Sequence, residues 1–364
     1  MTSKVLFCPT QIGRYPLEHG VVMAPLTRMR ANADAVPTDL FTKYYQQRTS
    51  KGGLIISEAT FIDRLAGGYK NVPGIYNQKQ IQSWRKVTQA VHQKGGVIFM
   101  QLWHVGRVGS ETLNPDGEKA VSASAIPARG LNYILGRDHE IPRPLTVPEI
   151  QAWVGKYRQA ALNAIEAGFD GVEIHSSHGY LLDQFINSNT NQRKDEYGGS
   201  IPNRCRFSLE VIDAVSKAIG ADRTAIRLSP GSDFQDMMDD TPVETWGYLV
   251  SQLEQKYPDL AYLHLVQARA SVMHDDFDPS DSLEPFRKIW KGPFIASGGY
   301  SNALEAAVDY AEKNKTLISF GRAFVANPDL YNRLVNDWPL NAYDRPTFFV
   351  NDPKGYADYP FYEQ

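Results

Sequence analysis

Short apolar, β-branched runs recur along the chain at Val21–Ala24, Leu54–Ile56, Val97–Met100, Gly171–Ile174, Thr224–Leu228, Ala261–Val266, Phe294–Ala296 and Leu317–Phe320. Most are continuous rather than alternating, as strands covered on both faces should be. Between them, apolar residues recur at helical spacing. Ile81, Trp84, Val87, Ala90 and Val91 share one face of a helix reaching Lys94. Pro148 opens another, in which Ile150, Val154, Tyr157, Ala161, Ala164 and Ile165 form a stripe stopped by Gly168. Asn203 is placed to cap a helix carrying Phe207, Val211, Ile212, Val215 and Ile219, with Gly220 as its stop. Thr241, Pro242 and Glu244 read as a capping box for the next, and Asn302 to Lys313 as the last before the final strand.

Eight strands alternating with helices is the count for an α/β fold of the (β/α)8 TIM-barrel type, here with an N-terminal hairpin. Residues 1–364 are expected to form a single domain. A doubly wound open sheet would need a Gly-rich dinucleotide turn after strand one, and Ala24-Pro-Leu-Thr27 is not one. Residues 103–146, rich in Gly, Pro, Ser and charge, break the rhythm after strand three. An insertion this long at that position should cap the end of the barrel where chemistry sits.

Composition adds exclusions. Hydrophobic residues at 42% and charged residues at 22% are an ordinary globular balance. A formal net charge of −3 gives no electrostatic case for nucleic acid or an anionic membrane. No stretch approaches the ~20 apolar residues of a membrane span. Cys8 and Cys205 are far apart with no CxxC or Cys/His spacing, which fits a reducing compartment rather than a disulfide framework. Met1 to Phe7 lacks a long apolar core, so the expected location is cytoplasmic.

The chemistry concentrates at His175-Ser-Ser-His-Gly-Tyr180, just past the carboxyl end of strand four. Imidazoles three apart can jointly hold an oxygen atom, and a phenol two residues on can supply a proton. A metal pair is the rival reading, but no third ligand lies nearby, and Asp183 falls beyond the turn. Arg227, inside the buried run Ile226-Arg-Leu228, needs a permanent partner. An acidic side chain would serve; so would a cofactor ring that gains negative charge on reduction, such as the N1/O2 side of a flavin. Gln101, alone, reads as a satisfied core amide, and beside such a ring it could read an edge. Thr27 is either a helix cap or a hydroxyl near the ring carbonyl. Gly299 after strand seven, with Gly321 and Arg322 after strand eight, occupy positions that commonly cradle a phosphate. Trp103 and Tyr69 are core packing or aromatic pocket walls. The run Arg193–Ser200 reads as a solvated loop.

Taken together these residues resemble the old yellow enzyme family of FMN-dependent ene-reductases. The resemblance runs from Met23–Arg28, through Gly53–Ala59, Gly68–Gly74, Gln101–Arg107, Asn191–Ser200 and Asn203-Arg204, to Gly355–Pro360. It implies non-covalent FMN, with Pro25, Leu26 and Ala59 lining the ring and Thr27 beside its O4/N5 edge. Gln101 and Arg227 would bind the pyrimidine side, and Gly299, Gly321 and Arg322 the phosphate. NADPH would reduce the flavin and leave, and an electron-poor alkene would then take its place. His175 and His178 would grip the substrate oxygen, Tyr180 would protonate the α-carbon, and Tyr69 and Trp103 would shape the pocket. Reduction of nitrate esters or nitroaromatics by the same site is the alternative within enzymes. A flavin-binding sensor has no need of the proton donor Tyr180. Against the family pattern, His178 stands where many relatives carry Asn, and Ser177 where alanine is usual. Phe349 stands where a tyrosine often lies near the pocket mouth, and Thr27 marks the branch without a redox-tuning cysteine.

Overall fold

The computed structural model describes residues 4–363 apart from 133–134, 269–277 and 279. Eight strands form its centre: Val21–Met23, Leu54–Ile56, Val97–Trp103, Gly171–Ser176, Thr224–Leu228, Tyr262–Val266, Phe294–Ser297 and Leu317–Phe320, termed strands one to eight. Every neighbouring pair is parallel, and strand eight returns to pair with strand one through Phe320 and Met23, so the barrel closes. Closure removes every sheet edge, which is why these runs can be apolar on both faces. Strand three outruns its apolar segment. It continues to Trp103, which places Gln101 inside the strand, and the short strand Thr60–Phe61 pairs beside its end.

Two layers of core follow from strand alternation. Val22, Leu54, Ile56, Phe99, Ala225, Tyr262, Ile295 and Leu317 pack together with Ile12 and Leu17. The last two come from the antiparallel hairpin Thr10–Ile12 and Tyr15–Leu17. Gly13 at its turn donates to the Ala261 carbonyl, and Arg14 pairs with Asp222, so the hairpin plugs the amino-terminal end of the barrel. The larger cluster lies between strands and helices, with Trp84, Tyr157, Phe207 and Trp246 fully buried.

The helices lie where the periodicity puts them, with two cap readings corrected. The helix Ile201–Ile219 begins before Asn203, whose amide donates back to the Gly198 carbonyl from inside the first turn. The helix Pro242–Lys256 has Thr241 at its N-cap but no capping box. Asp239 accepts from the Thr241 amide and the Thr245 hydroxyl instead, a nearer acceptor that displaces Glu244. A reciprocal capping box does form at Thr146 and Glu149, opening the helix Val147–Glu166. Gly168 and Gly220 follow their helices at φ +89° and +97°.

The insertion carries two small strand pairs, Val121–Ser122 with Arg143–Pro144 and Leu131–Asn132 with Arg137–Asp138. Its anchors are buried arginines. Arg107, fully buried, donates to the carbonyls of Ile126 and Pro127 within the insertion and of Gln235 and Asp236 beyond strand five. Arg193 donates to the carbonyls of Ala123 (3.0 Å) and Leu145 (2.5 Å) while pairing with Asp195. The run Arg193–Ser200 is therefore a clamp, not a solvated loop. Arg204 extends it, donating to Ile186 and Gly199 carbonyls and pairing with Asp239. No helix among the described residues is long and apolar enough to cross a membrane.

Replacing Arg193 strips two carbonyls and a carboxylate of a charged donor. Arg193→Ala is expected to cost about 2–3 kcal/mol and to open residues 121–145 to limited proteolysis before the barrel melts. Cleavage kinetics identical to those of the parent protein would show that the clamp is not what holds the insertion.

Candidate active site

Strand four delivers His175 to the carboxyl end of the barrel, and a tight turn then redirects the chain into the helix Leu181–Ile186. The turn needs left-handed backbone at His178 (φ +56°) and Gly179 (φ +71°). A Cβ on Gly179 would lie 2.8 Å from Gln235 Cβ and 3.0 Å from the Phe234 carbonyl, so glycine is required there on two counts. For His178 the conformation costs roughly 1–2 kcal/mol. Its backbone is held there by Ser229 Oγ, which accepts from the His178 amide (2.8 Å), and by Gln235 Nε2, which donates to the His178 carbonyl (2.6 Å). Asp183, buried at the helix start, accepts from the Gly179 amide and from Asn187. Burial raises its carboxyl to about 7.

Five of the rings singled out in the sequence, Tyr69, Trp103, His175, His178 and Tyr180, pack as one cluster. Tyr180 stands edge-on to His175 at 4.9 Å and to Trp103 at 4.8 Å between centroids. His175 and His178 are 6.1 Å apart and nearly perpendicular. Tyr69 tilts against Trp103 at 5.4 Å, and Phe61 stacks on the far face of the cluster at 5.2 Å from Trp103. Tyr69 and the Gln235 side chain are the neutral polar groups that act on the Tyr180 hydroxyl. Phe349 stands outside this cluster: it is 58% exposed and its ring contact is with Phe348.

Electrostatics keep the cluster uncharged. Burial, then repulsion by the neighbouring imidazole and by Arg227, holds His175 well below the ordinary histidine value. Burial and Arg227 do the same to His178. Burial pushes the Tyr180 phenol up to about 12, against the opposing hydrogen bonds from Gln235 and Tyr69. At neutral pH the site offers two neutral imidazoles and a phenol that keeps its proton.

Arg227 is the register partner of both His175 on strand four and His264 on strand six. Its Nη2 reaches Ser297 Oγ at 3.4 Å, and its buried Nε has no hydrogen-bond partner among the described residues. Its countercharge is Glu173, which favours the cation against the burial that opposes it. Glu173 itself accepts from Gln101 Nε2 at 2.7 Å and contacts His264 Nδ1 at 2.8 Å, while His264 Nε2 contacts Ser319 Oγ at 3.0 Å. So Gln101 is a satisfied core amide that still presents its carbonyl oxygen. An acidic partner and an unmatched N–H coexist at Arg227, and that spare donor fits a ring edge that gains negative charge.

The segments after four strands contribute the neighbouring surface. Pro25, Leu26 and Thr27 follow strand one, half-buried, and Ala59 lies buried past strand two. Gly299 follows strand seven at φ +76°. Gly321 follows strand eight, where an added Cβ would come within 3.2 Å of Leu26 Cδ2. Ser301 Oγ accepts from the Ala323 amide, which ties the Gly299 and Gly321–Arg322 turns together. This cradle of glycines with the half-buried Arg322 fits a phosphate-bearing cofactor. Among the described residues, no group of three His, Cys, Asp or Glu is placed to hold a metal ion.

The chain matches the family model of the NADH:flavin oxidoreductase / NADH oxidase family over residues 5–341. It is 47% identical over 360 residues to 12-oxophytodienoate reductase 1 of Oryza sativa subsp. japonica, covering 99% of this chain and 93% of that protein. Morphinone reductase superposes with a TM-score of 0.91 at 42% identity, covering 98% and 96% of the two chains. The chain belongs to the old yellow enzyme family. A further member, the old yellow enzyme homologue from Zymomonas mobilis, superposes with a TM-score of 0.91 at 39% identity over 98% of this chain and 99% of that one. The chain is thus a flavin-dependent oxidoreductase of that family, and the barrel is the one its solved members share.

Four residues that support this old yellow enzyme site are not marked by the sequence motifs: Gln235, Ser229, Glu173 and His264. Two carried a legible signal, because Glu173 and His264 each interrupt an apolar strand at an inward position. Gln235 and Ser229 had none; they reach the site through the loop after strand five.

With both imidazoles held neutral and Tyr180 protonated, binding of a neutral carbonyl compound such as cyclohexenone is expected to vary by no more than roughly twofold between about pH 6 and 9. A fluorescence or absorbance titration with a midpoint near the ordinary histidine value would show instead that His175 or His178 charges in that range.

Proposed function

We propose that the chain is an FMN-dependent NADPH oxidoreductase that reduces the activated C=C bond of α,β-unsaturated carbonyl or nitro compounds. The observation that carries this reading is the meeting of Tyr180, His175 and His178 above an arginine with an unmatched buried N–H. Bound flavin, reduced by a nicotinamide donor, would supply hydride to the β-carbon of the alkene. Morphinone reductase is known in complex with tetrahydroNAD, which supports a nicotinamide donor for this relative as well.

The chain's own residues would do the rest. Pro25, Leu26 and Ala59 would line the flavin ring, with Thr27 at its O4/N5 edge and Gln101 and Arg227 at its pyrimidine side. Gly299, Gly321 and Arg322 would hold its phosphate. His175 and His178 would bind the activating oxygen of a small electron-poor alkene, where each well-aimed donor contributes roughly 2–4 kcal/mol as charge develops. Tyr180 would deliver its proton to the α-carbon. A phenol at about 12 holds that proton until a strongly basic carbon forms beside it. Tyr69 O–H would then stabilise the phenolate left on Tyr180. Phe349, exposed beyond the ring cluster, would contribute at the pocket mouth. Donor and acceptor would use one face in turn, which implies ping-pong kinetics.

Anaerobic reduction with one equivalent of NADPH, followed by cyclohexenone, tests the whole reading: the visible flavin absorbance should bleach and return. A colourless protein that takes up no FMN would overturn it. Tyr180→Phe is expected to slow the return by roughly 10²–10⁴-fold while leaving the bleaching step nearly intact. Equal losses in both steps would remove Tyr180 from the acid role. His178→Ala should weaken cyclohexenone binding by roughly tenfold or more, read as the dissociation constant in a flavin-perturbation titration. An unchanged constant would take His178 out of oxygen binding.

A further inference from the structure

Ser177 is fully buried, and its hydroxyl lies 3.0 Å from His175 Nδ1 and 3.3 Å from His178 Nδ1. Neither Nδ1 has another partner among the described residues. A hydroxyl carries one proton and two acceptor lone pairs. To bond both nitrogens, it must donate to one and accept from the other. The ring that accepts from it carries its own proton on Nε2. The ring that donates to it is protonated on Nδ1 and leaves Nε2 bare.

We propose that Ser177 is a positioning residue that holds His175 and His178 in opposite tautomers, so the resting pair presents one Nε2–H donor and one bare Nε2. This rests on the proposed role of the pair in binding the substrate oxygen, and it refines what that oxygen meets. Two features make the coupling tight. Burial and Arg227 keep both rings uncharged, so a third ring proton is not freely available to satisfy both contacts at once. The segment is also pinned on both sides of Ser177, with Ser176 Oγ against Ser208 Oγ at 3.2 Å and the His178 backbone held by Ser229 and Gln235.

The consequence is selectivity by hydrogen-bond type. A carbonyl oxygen, which only accepts, meets two donors only when one Nδ1 contact is given up. A phenol hydroxyl accepts from the Nε2–H and donates to the bare Nε2, matching the resting pair without rearrangement. A sufficiently acidic hydroxyl can go further. Its proton moves to the bare Nε2, that ring's Nδ1 proton moves to Ser177 Oγ, and the original Ser177 proton moves to Nδ1 of the other ring. One proton has left the ligand and one imidazolium has formed, and the ligand anion then lies between two Nε2–H donors. An alanine at position 177 would break this relay and leave both tautomers to the ligand's choice.

Nitrogen-15 NMR of histidine-labelled, FMN-loaded protein reads the tautomers directly, with the pair among the 8 histidines assigned by loss of signals in His178→Gln. The parent protein should show one ring protonated on Nδ1 and its partner on Nε2, and Ser177→Ala should abolish that opposition. Both rings protonated on Nε2 in the parent, or an unchanged pattern in Ser177→Ala, would overturn the proposal. In parallel, the preference for phenol over cyclohexenone, as a ratio of dissociation constants, should fall roughly fivefold in Ser177→Ala. An unchanged ratio would overturn the selectivity. Failure to turn over cyclohexenone would defeat the proposed reaction while leaving the tautomer pattern as it stands.

Discussion

A guanidinium enclosed by eight strands is the constraint that orders this molecule's centre. Moving such a charge out of water costs several kcal/mol unless it is compensated. The barrel answers with Glu173, two residues before His175 on strand four and hence on the same inward face. Glu173 cannot be left bare either, so Gln101 and His264 occupy its oxygens, and Ser319 completes the chain at His264 Nε2. Burial keeps His264 below its ordinary value despite the carboxylate beside it. As a neutral ring it donates from Nδ1 to Glu173 and accepts from the Ser319 hydroxyl at Nε2. Residues from strands three, four, five, six and eight thus form one polar layer across the barrel, and His175 rises directly above it. Gln101 and Arg227, proposed to meet the flavin, and His175, proposed to hold the substrate oxygen, thus share this single solution to a buried charge.

How much of this could be read from the chain depends on whether the signal was local. All eight strands were legible because a strand buried on both faces writes a continuous apolar run. The ring cluster was legible because His175, His178 and Tyr180 share one turn, and because Trp103 and Tyr69 follow strand ends that face it. The misreadings share a cause. Spacing alone makes Asn203 a cap and Glu244 the closing member of a capping box at Thr241, and each yields to an interaction invisible at short range: the Gly198 carbonyl for Asn203, and Asp239 in place of Glu244 while Thr241 keeps the N-cap position. The run Arg193–Ser200 read as solvent-facing because it is charged, yet Arg193 spends its charge on carbonyls some 50 to 70 positions earlier in the chain. Ser177 is the clearest case. Its neighbours in sequence were plain, but only the fold shows that both Nδ1 atoms converge on its hydroxyl.

The surroundings of Tyr180 are not set by strand four alone. Tyr69 and the Gln235 side chain act on its hydroxyl, and Gln235 also donates to the His178 carbonyl. Gln235 and Asp236 both sit at positive φ, +58° and +62°, a conformation that costs non-glycine residues roughly 1–2 kcal/mol each. What over-determines that strained pair is Arg107, which donates to both of their carbonyls from a fully buried position. The same guanidinium holds Ile126 and Pro127 of the insertion. Arg129 of the insertion adds a second tie, pairing with the Asp236 carboxylate, so the insertion and the loop after strand five are fastened to each other by two arginines. A cap fastened in this way does more than cover the site. Loosening residues 121–145 would slacken both arginine ties and with them the strained Gln235 that holds the His178 carbonyl, so the integrity of the cap and the shape of the turn carrying His178 and Tyr180 are one mechanical property.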